Sequence, residues 1–371
     1  MQSIARNFIH KKQVSDTTTD VAGILKMRRK KGEIGIEIEV EGKNLPQGPG
    51  SPWDSSYNNH LIPKQWEYHH DGSLRGEMNA EYVLRKPLKF SEVPKALDDL
   101  WEMFTESNSV LDESNRTSVH IHLNAQEFYL DRLCSFFALY FSVEEVLTSW
   151  CGEHRVGNMF CLQARDAHRI VTQIRDFLRG NGRVTIPKQF HYSGVNIHAL
   201  VKHGSLEIRS LRGATNKDVI LRWVRILERI YKLSADFSDP RDIPQSFSGG
   251  GHVAFVKMVL GDEADSVLAE CGMNYHEVQE ACLNGIRVAQ DLCFCRDWSK
   301  YQKLDAKDLA PFVRPEDLSA PVSPGLSPAP SLSWFASSSS SDLQQLNDVY
   351  LQNASTYLQT IEELIEEEGN N

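Results

Sequence analysis

The chain has 371 residues, 41% of them hydrophobic, and sets 40 Lys plus Arg against 50 Asp plus Glu for a formal charge of −10. That length and apolar content support one globular domain of about 270 residues with appended pieces, and the acidic balance argues against a broad nucleic-acid footprint. No apolar run approaches the roughly 18 residues that span a bilayer, the N-terminus lacks the hydrophobic stretch of a signal peptide, and seven cysteines without paired Cys-x-x-Cys spacing fit a reducing compartment. A cytoplasmic protein with no membrane partner is expected.

In chain order, residues 1–31 form a polar lead that ends in the basic cluster Lys26-Met27-Arg28-Arg29-Lys30-Lys31. It reads as a solvated approach to the first strand, ahead of a phosphate contact or an address. The strand itself covers 33–42 and is centred on Gly35-Ile36-Glu37-Ile38-Glu39. Period two sends both carboxylates to one face and both isoleucines to the other, and Glu41 extends the acidic row. Unpaired carboxylates at that spacing repel one another unless water or a cation lies between them, so this face is either wet or metallated.

Residues 43–65, with Pro46, Gly48, Pro49, Gly50, Pro52 and Pro63, read as a lid or binding loop. Asp71-Gly72-Ser73-Leu74 is a turn, and it leads to the strand Ala80-Glu81-Tyr82-Val83-Leu84, where Glu81 adds another acidic strand position. Ser91 is a plausible N-cap for a helix running to 106 through Leu97, Leu100, Trp101 and Phe104. Ser118-Val119-His120-Ile121-His122-Leu123 then repeats the design of the first strand, with imidazoles in place of carboxylates.

Residues 125–150 predict a long apolar core helix beneath the sheet. Arg155, Asn158 and Cys161 follow, and a helix from Gln163 to 179 is closed by Gly180-Asn181-Gly182. A hairpin is expected next, with arms at 192–200 and 205–211 joined through His203-Gly204. One arm alternates Asn196 and His198 with aliphatics, and the other carries Glu207 and Arg209. Residues 216–235 make an amphipathic helix, and further helices are expected at 252–259, 263–271 and 275–291.

From Pro315 to Ser341 there are five prolines and no basic residue, the composition of a disordered tether. Residues 342–371 regain helical character with an acidic end and could bind a protein partner. The expected organisation is therefore a lead at 1–31, a catalytic domain at 32–313, a tether at 314–341 and a C-terminal helix at 342–371.

Gly-x-Glu-x-Glu at 35–39, Asp71-Gly72-Ser73 followed by Glu81, Arg116-x-Ser-x-His120-x-His122-x-Asn124, Arg155-x-x-Asn158, and Asn196 followed by Glu207-Ile208-Arg209 carry a resemblance. In order, spacing and strand context they resemble carboxylate-amine ligases related to glutamate-cysteine ligase and glutamine synthetase, above all the amidoligase group known in bacteria and bacteriophages. The resemblance spans about 33–230.

It implies an α+β fold of glutamine-synthetase-like type, with helices on the apolar face of an antiparallel sheet and a polar concave face that binds ATP with Mg²⁺ or Mn²⁺. ATP would phosphorylate a carboxylate, and an amine would displace the phosphate to leave an amide or isopeptide bond. Acid and amine could be small molecules, peptides or proteins. By this resemblance Glu37, Glu39, Glu81, His120 and Glu207 are the metal ligands, and Glu207 and Arg209 are the catalytic pair. Arg209, Arg155 and Arg212 are the phosphate contacts. Carboxylates and imidazole suit those cations, and a planar guanidinium suits a transferring phosphoryl group.

Other assignments stay beside these. Arg209 could simply pair with Glu207, His122 is read as an orienting or core histidine ahead of a direct ligand, and Asp71 could only cap its turn. His69, His70, His191 and His203 are taken as loop histidines. A different metal-dependent phosphotransferase or hydrolase on the same face, or a non-catalytic binding protein acting through the C-terminal helix, are the alternatives.

Overall fold

The computed structural model describes residues 20–48, 61–76, 78–166, 170–179 and 191–293. Most of the loop at 43–65, the glycine stop at 180–182, Cys295, the tether and the C-terminal helix lie outside the described residues. A four-residue helix α1 (Val21–Ile24), capped by Asp20, precedes strand β1 (Ile34–Lys43). Strands β2 (Trp66–His69) and β3 (Met78–Leu84) follow, then helix α2 (Val93–Glu106), the short β4 (Val110–Leu111) and β5 (Ser118–Asn124). Helices α3 (Leu130–Cys151) and α4 (Ile170–Arg179) come next, then β6 (Val195–Asn196), α5 (His198–His203) and β7 (Ser205–Arg212). Four helices complete the described chain: α6 (Lys217–Leu233), α7 (Asp242–Leu260), α8 (Ala264–Glu270) and α9 (Tyr275–Cys293).

The strands form one sheet in the order β2-β3-β1-β5-β7-β6, with β4 also pairing with β1, and the named strand pairs are all antiparallel. Register decides what each face carries. Ile38 lies opposite Tyr82 and Val119, and Ile36 opposite Ile121, so one face is apolar throughout. Glu39 lies opposite Glu81, Glu37 opposite His120, and His122 opposite Glu207, so the polar positions collect on the other face. Since side-chain direction alternates along a strand, a slip of one residue would bury these charges in the core.

The apolar face is closed by α3, whose Phe136, Phe137, Leu139, Tyr140 and Val143 are buried. Such a helix, apolar around most of its circumference, needs cover on its far side as well. Helix α9 supplies it and comes in close at Gly285, where an added Cβ would lie 2.3 Å from the Phe141 carbonyl oxygen. No helix among the described residues is long and apolar enough to cross a membrane. The six described cysteines are free and buried.

Several local expectations are corrected. The 192–200 arm is a strand only at Val195–Asn196, and His198–His203 is helix. The Asn196 side-chain oxygen accepts from the His198 amide at 2.9 Å, which turns the chain into α5, and Gly204 ends that helix at φ 71. Helix α2 begins at Val93, with Pro94 in its first turn, so Ser91 sits in a preceding 3-10 turn instead of capping. Helix α3 starts at Leu130, later than its periodicity alone suggests, and Gln163 to Asp166, expected as helix, are coil and turn. Strand β2 adds an element to those the sequence predicts. Trp66 fixes it in the core, fully buried, with its indole N–H donating to the Ala96 carbonyl at 2.9 Å.

Candidate metal and phosphoryl-transfer centre

The polar face of the sheet forms the floor of a cleft of about 360 Å³. On its acidic side stand Glu37 and Glu39 from β1, Glu81 from β3 and Asp71 from the turn before β3. The opposite wall comes from α5, through His198, Lys202 and His203. His120, His122, Glu207 and Arg209 lie between them on β5 and β7.

His120 is buried at the centre. Its Nδ1 lies 3.2 Å from Glu37 Oε2 and 3.8 Å from Glu207 Oε1, while its Nε2 lies 2.7 Å from Ser118 Oγ and 3.6 Å from Glu39 Oε1. Ser118 in turn donates to Glu39 Oε2 from its amide and its hydroxyl, at 2.8 and 2.7 Å. His122 Nε2 lies 3.0 Å from Glu37 Oε1, and its Nδ1 lies 3.1 Å from Ser205 Oγ. Burial acts to raise the Glu37 carboxyl, but its hydrogen bonds and charge interactions with His120 and His122 outweigh that and hold it well below the usual carboxylate range. Burial likewise acts to lower His122, and Glu37 then raises it above the ordinary histidine value.

Glu207 is tied down on both oxygens. Arg209 Nη1 pairs with Oε1, and Asn196 Nδ2 donates to Oε2 at 2.7 Å. Burial pushes its pKa up, yet Arg209, His122 and His120 bring it below the normal value. Glu81 is in the reverse position. Its carboxylate has no hydrogen-bond or ion-pair partner among the described residues, and burial, then the charges of Glu37, Glu39 and Asp71, push it up to about 8. Burial and the crowded carboxylates together favour its protonated form, and a cation among them would compensate that charge.

Two donor sets meet the spacing for a cation: Glu37, His120 and Glu207, and Glu39, Glu81 and His120, with the ligand atoms of each set within 4.8 Å of one another. Oxygen donors with a single imidazole fit Mg²⁺ or Mn²⁺ and would suit a soft metal poorly. The second set fits better, because the first is occupied by the pairs of Glu207 with Arg209 and of Glu37 with the imidazoles.

Arg209 is aimed by a bulge. The pairing of β5 with β7 shifts register between Val119 and Ile121, so that Arg209 and Ser210 together face His120. Buried Arg155 holds this bulge from behind: its Nη2 donates to the Arg209 carbonyl at 2.5 Å and its Nε to the Ser210 carbonyl at 3.1 Å. Arg209 Nε donates to the Phe160 carbonyl at 3.3 Å.

The structure thus gathers Glu37, Glu39, Glu81, His120, Glu207 and Arg209 in one cleft, and it takes Arg155 and Arg212 out of it. Arg155 spends its donors on backbone beneath the sheet. Arg212 donates to the Cys151 and Trp150 carbonyls at 2.9 and 3.3 Å and borders a separate hollow with Trp150 and Arg222. Glu41 also leaves the row, since its Oε1 accepts from the Arg75 and Gly76 amides at 2.6 and 2.9 Å and pins the Asp71 turn to the sheet. Asp71 does accept from the Ser73 amide as a turn residue, at 2.7 Å, and it lines the cleft as well. His191 and His203, read from sequence as loop histidines, line the cleft too. So does an aromatic rim of Phe160 and Tyr192, with ring centroids 5.6 Å apart, that no periodicity announces.

Fold and site together define an α+β protein whose open antiparallel sheet bears a carboxylate–imidazole cleft with a fixed arginine. Residues 54–231 match the model of the family described as "Putative amidoligase enzyme", a ligase-type enzyme family and the one that the ordered motifs resemble. The match contains Glu81, His120, Glu207 and Arg209, while Glu37 and Glu39, on strand β1, lie outside it. No curated protein matches the chain.

Proposed function

We propose that the cleft is the active site of an ATP-dependent carboxylate-amine ligase on a glutamine-synthetase-like sheet. A carboxylate oxygen of the acid substrate attacks the γ-phosphorus of ATP, ADP leaves, and the amine nitrogen then attacks the acyl carbon and expels phosphate. The observation that carries this reading is the convergence of Glu39, Glu81 and His120 beside the buried pair of Glu207 and Arg209. The family match adds the reaction class.

Glu39, Glu81 and His120, and then Glu37 and Glu207, would hold Mg²⁺ or Mn²⁺. When bound, such an ion supplies positive charge against the nucleotide phosphates in a cleft that otherwise repels them. Arg209 holds its guanidinium at the floor, where charge develops on the transferring phosphoryl group. Its orientation is set in advance by Glu207, the Phe160 carbonyl and the bulge, so little reorganisation is needed. His122 orients Glu37, and Ser118 orients Glu39.

The test begins with thermal-shift titrations of ATP, ADP and AMP with and without Mg²⁺ or Mn²⁺, on the native chain and on a Glu37→Gln, Glu39→Gln double variant. A cation-dependent ATP shift that the variant loses supports the site. ADP release that requires an added amine then identifies the ligase. ADP release with no amine would replace the ligase by a hydrolase, and a phosphorylated guanidino product would replace it by a phosphotransferase. No shift under any condition sinks the nucleotide assignment.

A further inference from the structure

The basic run before β1 takes no part in holding a cation, yet at Lys30 it is tied through Gln126 to the helix that walls the cleft. Asp20 pairs with Arg29, which leaves Lys26, Arg28, Lys30 and Lys31 exposed on the segment. The segment is tied to α5 by one side chain, Gln126, which is 1% exposed. Gln126 Oε1 accepts from the Lys30 amide at 2.7 Å, and its Nε2 donates to the carbonyl of His203, the last residue of α5, at 3.1 Å. Asn124 Nδ2 adds bonds to the Gly32 and Lys30 carbonyls at 2.7 and 3.2 Å.

From there the cleft is one ring away. His203 meets His122 edge-on with centroids 6.2 Å apart, and His122 is bonded to Glu37. Lys202, beside His203, is exposed and lines the cleft with His198, one helical turn earlier. Burial, then Lys202, His122 and Lys30, lowers the pKa of His203, so the field of both lysines reaches the cleft wall. A merely solvated lead-in has no need of a buried glutamine that fixes its backbone to the site.

We propose that Lys30 and Lys202, with the exposed basic residues that neighbour Lys30 in the chain, form a docking rim for an acidic peptide segment, one of whose carboxylates is the acid substrate of the cleft. The inference rests on the ligase reading for that last clause only. A chain of −10 net charge with a carboxylate-lined cleft repels polyanions in general, so an anionic substrate needs a local cationic landing place. A peptide can lay its acidic side chains along the rim and extend a single carboxylate past it. A nucleic acid carries a charge on every unit and offers no carboxylate to activate.

The experiment measures fluorescence anisotropy of labelled octaglutamate, octaglutamine, octalysine and a single-stranded DNA octamer with the full chain, without nucleotide or cation, at low and physiological salt. Octaglutamate is expected to bind in preference to octaglutamine and octalysine, and to weaken with salt. A Lys30→Glu, Lys202→Glu double variant, altered at exposed positions, is expected to lose about tenfold or more of that affinity. Circular dichroism of the variant matching the native chain excludes misfolding as the cause, and Lys30→Gln, Lys202→Gln serves if charge reversal unfolds it. Equal binding of octaglutamine, or affinity indifferent to the variant, overturns the rim. Tighter binding of the DNA octamer overturns the choice of partner. Since no ATP is present, peptide binding without amine-dependent ADP release would sink the ligase reading alone, and a cation-dependent ATP shift without peptide binding would sink the rim alone.

Discussion

Glu81→Gln is the substitution whose consequence can be worked out most fully. With its carboxyl at about 8 in the metal-free cleft, the protonated form outnumbers the ionised one by about ten to one at pH 7, and ionising it there costs about 1.4 kcal/mol. A cation that uses Glu81 as a ligand must expel that proton. Mn²⁺ affinity should therefore rise by up to about tenfold per pH unit from 6 towards 8 and level off above, with about 0.9 proton released per ion at pH 7 and about 0.1 at pH 9 from this residue. Isothermal titration calorimetry in buffers of different ionisation enthalpy measures the released protons directly. His122 and its neighbours can add protons of their own, so the decisive quantity is the difference between the native chain and Glu81→Gln. The variant should bind more weakly and lack that one proton. If both release the same number at pH 7, Glu81 is not a ligand and the cation set is wrong.

Other expectations follow from the same geometry. Arg155→Lys cannot span both bulge carbonyls, so it should lower the unfolding free energy by about 1–3 kcal/mol, read by urea denaturation, and weaken the cation-dependent ATP shift by misaiming Arg209; full retention of that shift would refute the bulge argument. Glu81 and the fully buried Glu144 are each raised to about 8 by burial above all. A raised carboxyl stabilises fully below its unfolded value and loses that contribution as pH climbs through the folded one, so the metal-free melting temperature should fall between about pH 5 and 9. His122, also raised, acts in the same direction, whereas the lowered Glu37 contributes above its unfolded value and loses that as pH falls, which should place the maximum on the mildly acidic side. A melting temperature that climbs towards pH 9 would contradict these shifts. Gly204→Ala forces a side chain at φ 71 and sets its Cβ 2.4 Å from the side chain of Gln126; a loss of about 1–3 kcal/mol is expected, and calorimetric melting would show it.

The acidic and imidazole strands were legible because alternation is a short-range signal, and Glu37, Glu39, Glu81, His120 and Glu207 could each be placed on a face from their immediate neighbours. Their meeting depends on register across β3-β1-β5-β7, which no single strand encodes. The helix α5 was hidden because Asn196, Ile197 and His198 continue a strand-like alternation, and only a side-chain hydrogen bond to the backbone breaks it. Arg155 looked like a phosphate ligand because a guanidinium suits either task; its burial against two carbonyls is decided by a bulge that sequence does not mark. The basic run was legible as charge, but its place at the rim depends on Gln126, a residue with no motif around it. Strand β2 has clear alternation of Trp66 and Tyr68 with Glu67 and His69, yet only four residues of it, too few to stand out beside a long loop.

One imidazole belongs to both donor sets. A neutral ring has a single lone pair to give, so His120 can complete Glu39 and Glu81 or Glu37 and Glu207, not both together. Two ions in the cleft would thus be unequal by construction: the first takes the nitrogen, and the second is left with carboxylates and whatever oxygens the substrate brings. On this logic a second ion would arrive with the nucleotide, and the protein alone would hold one. The cleft would sense its substrate through the number of ions it retains.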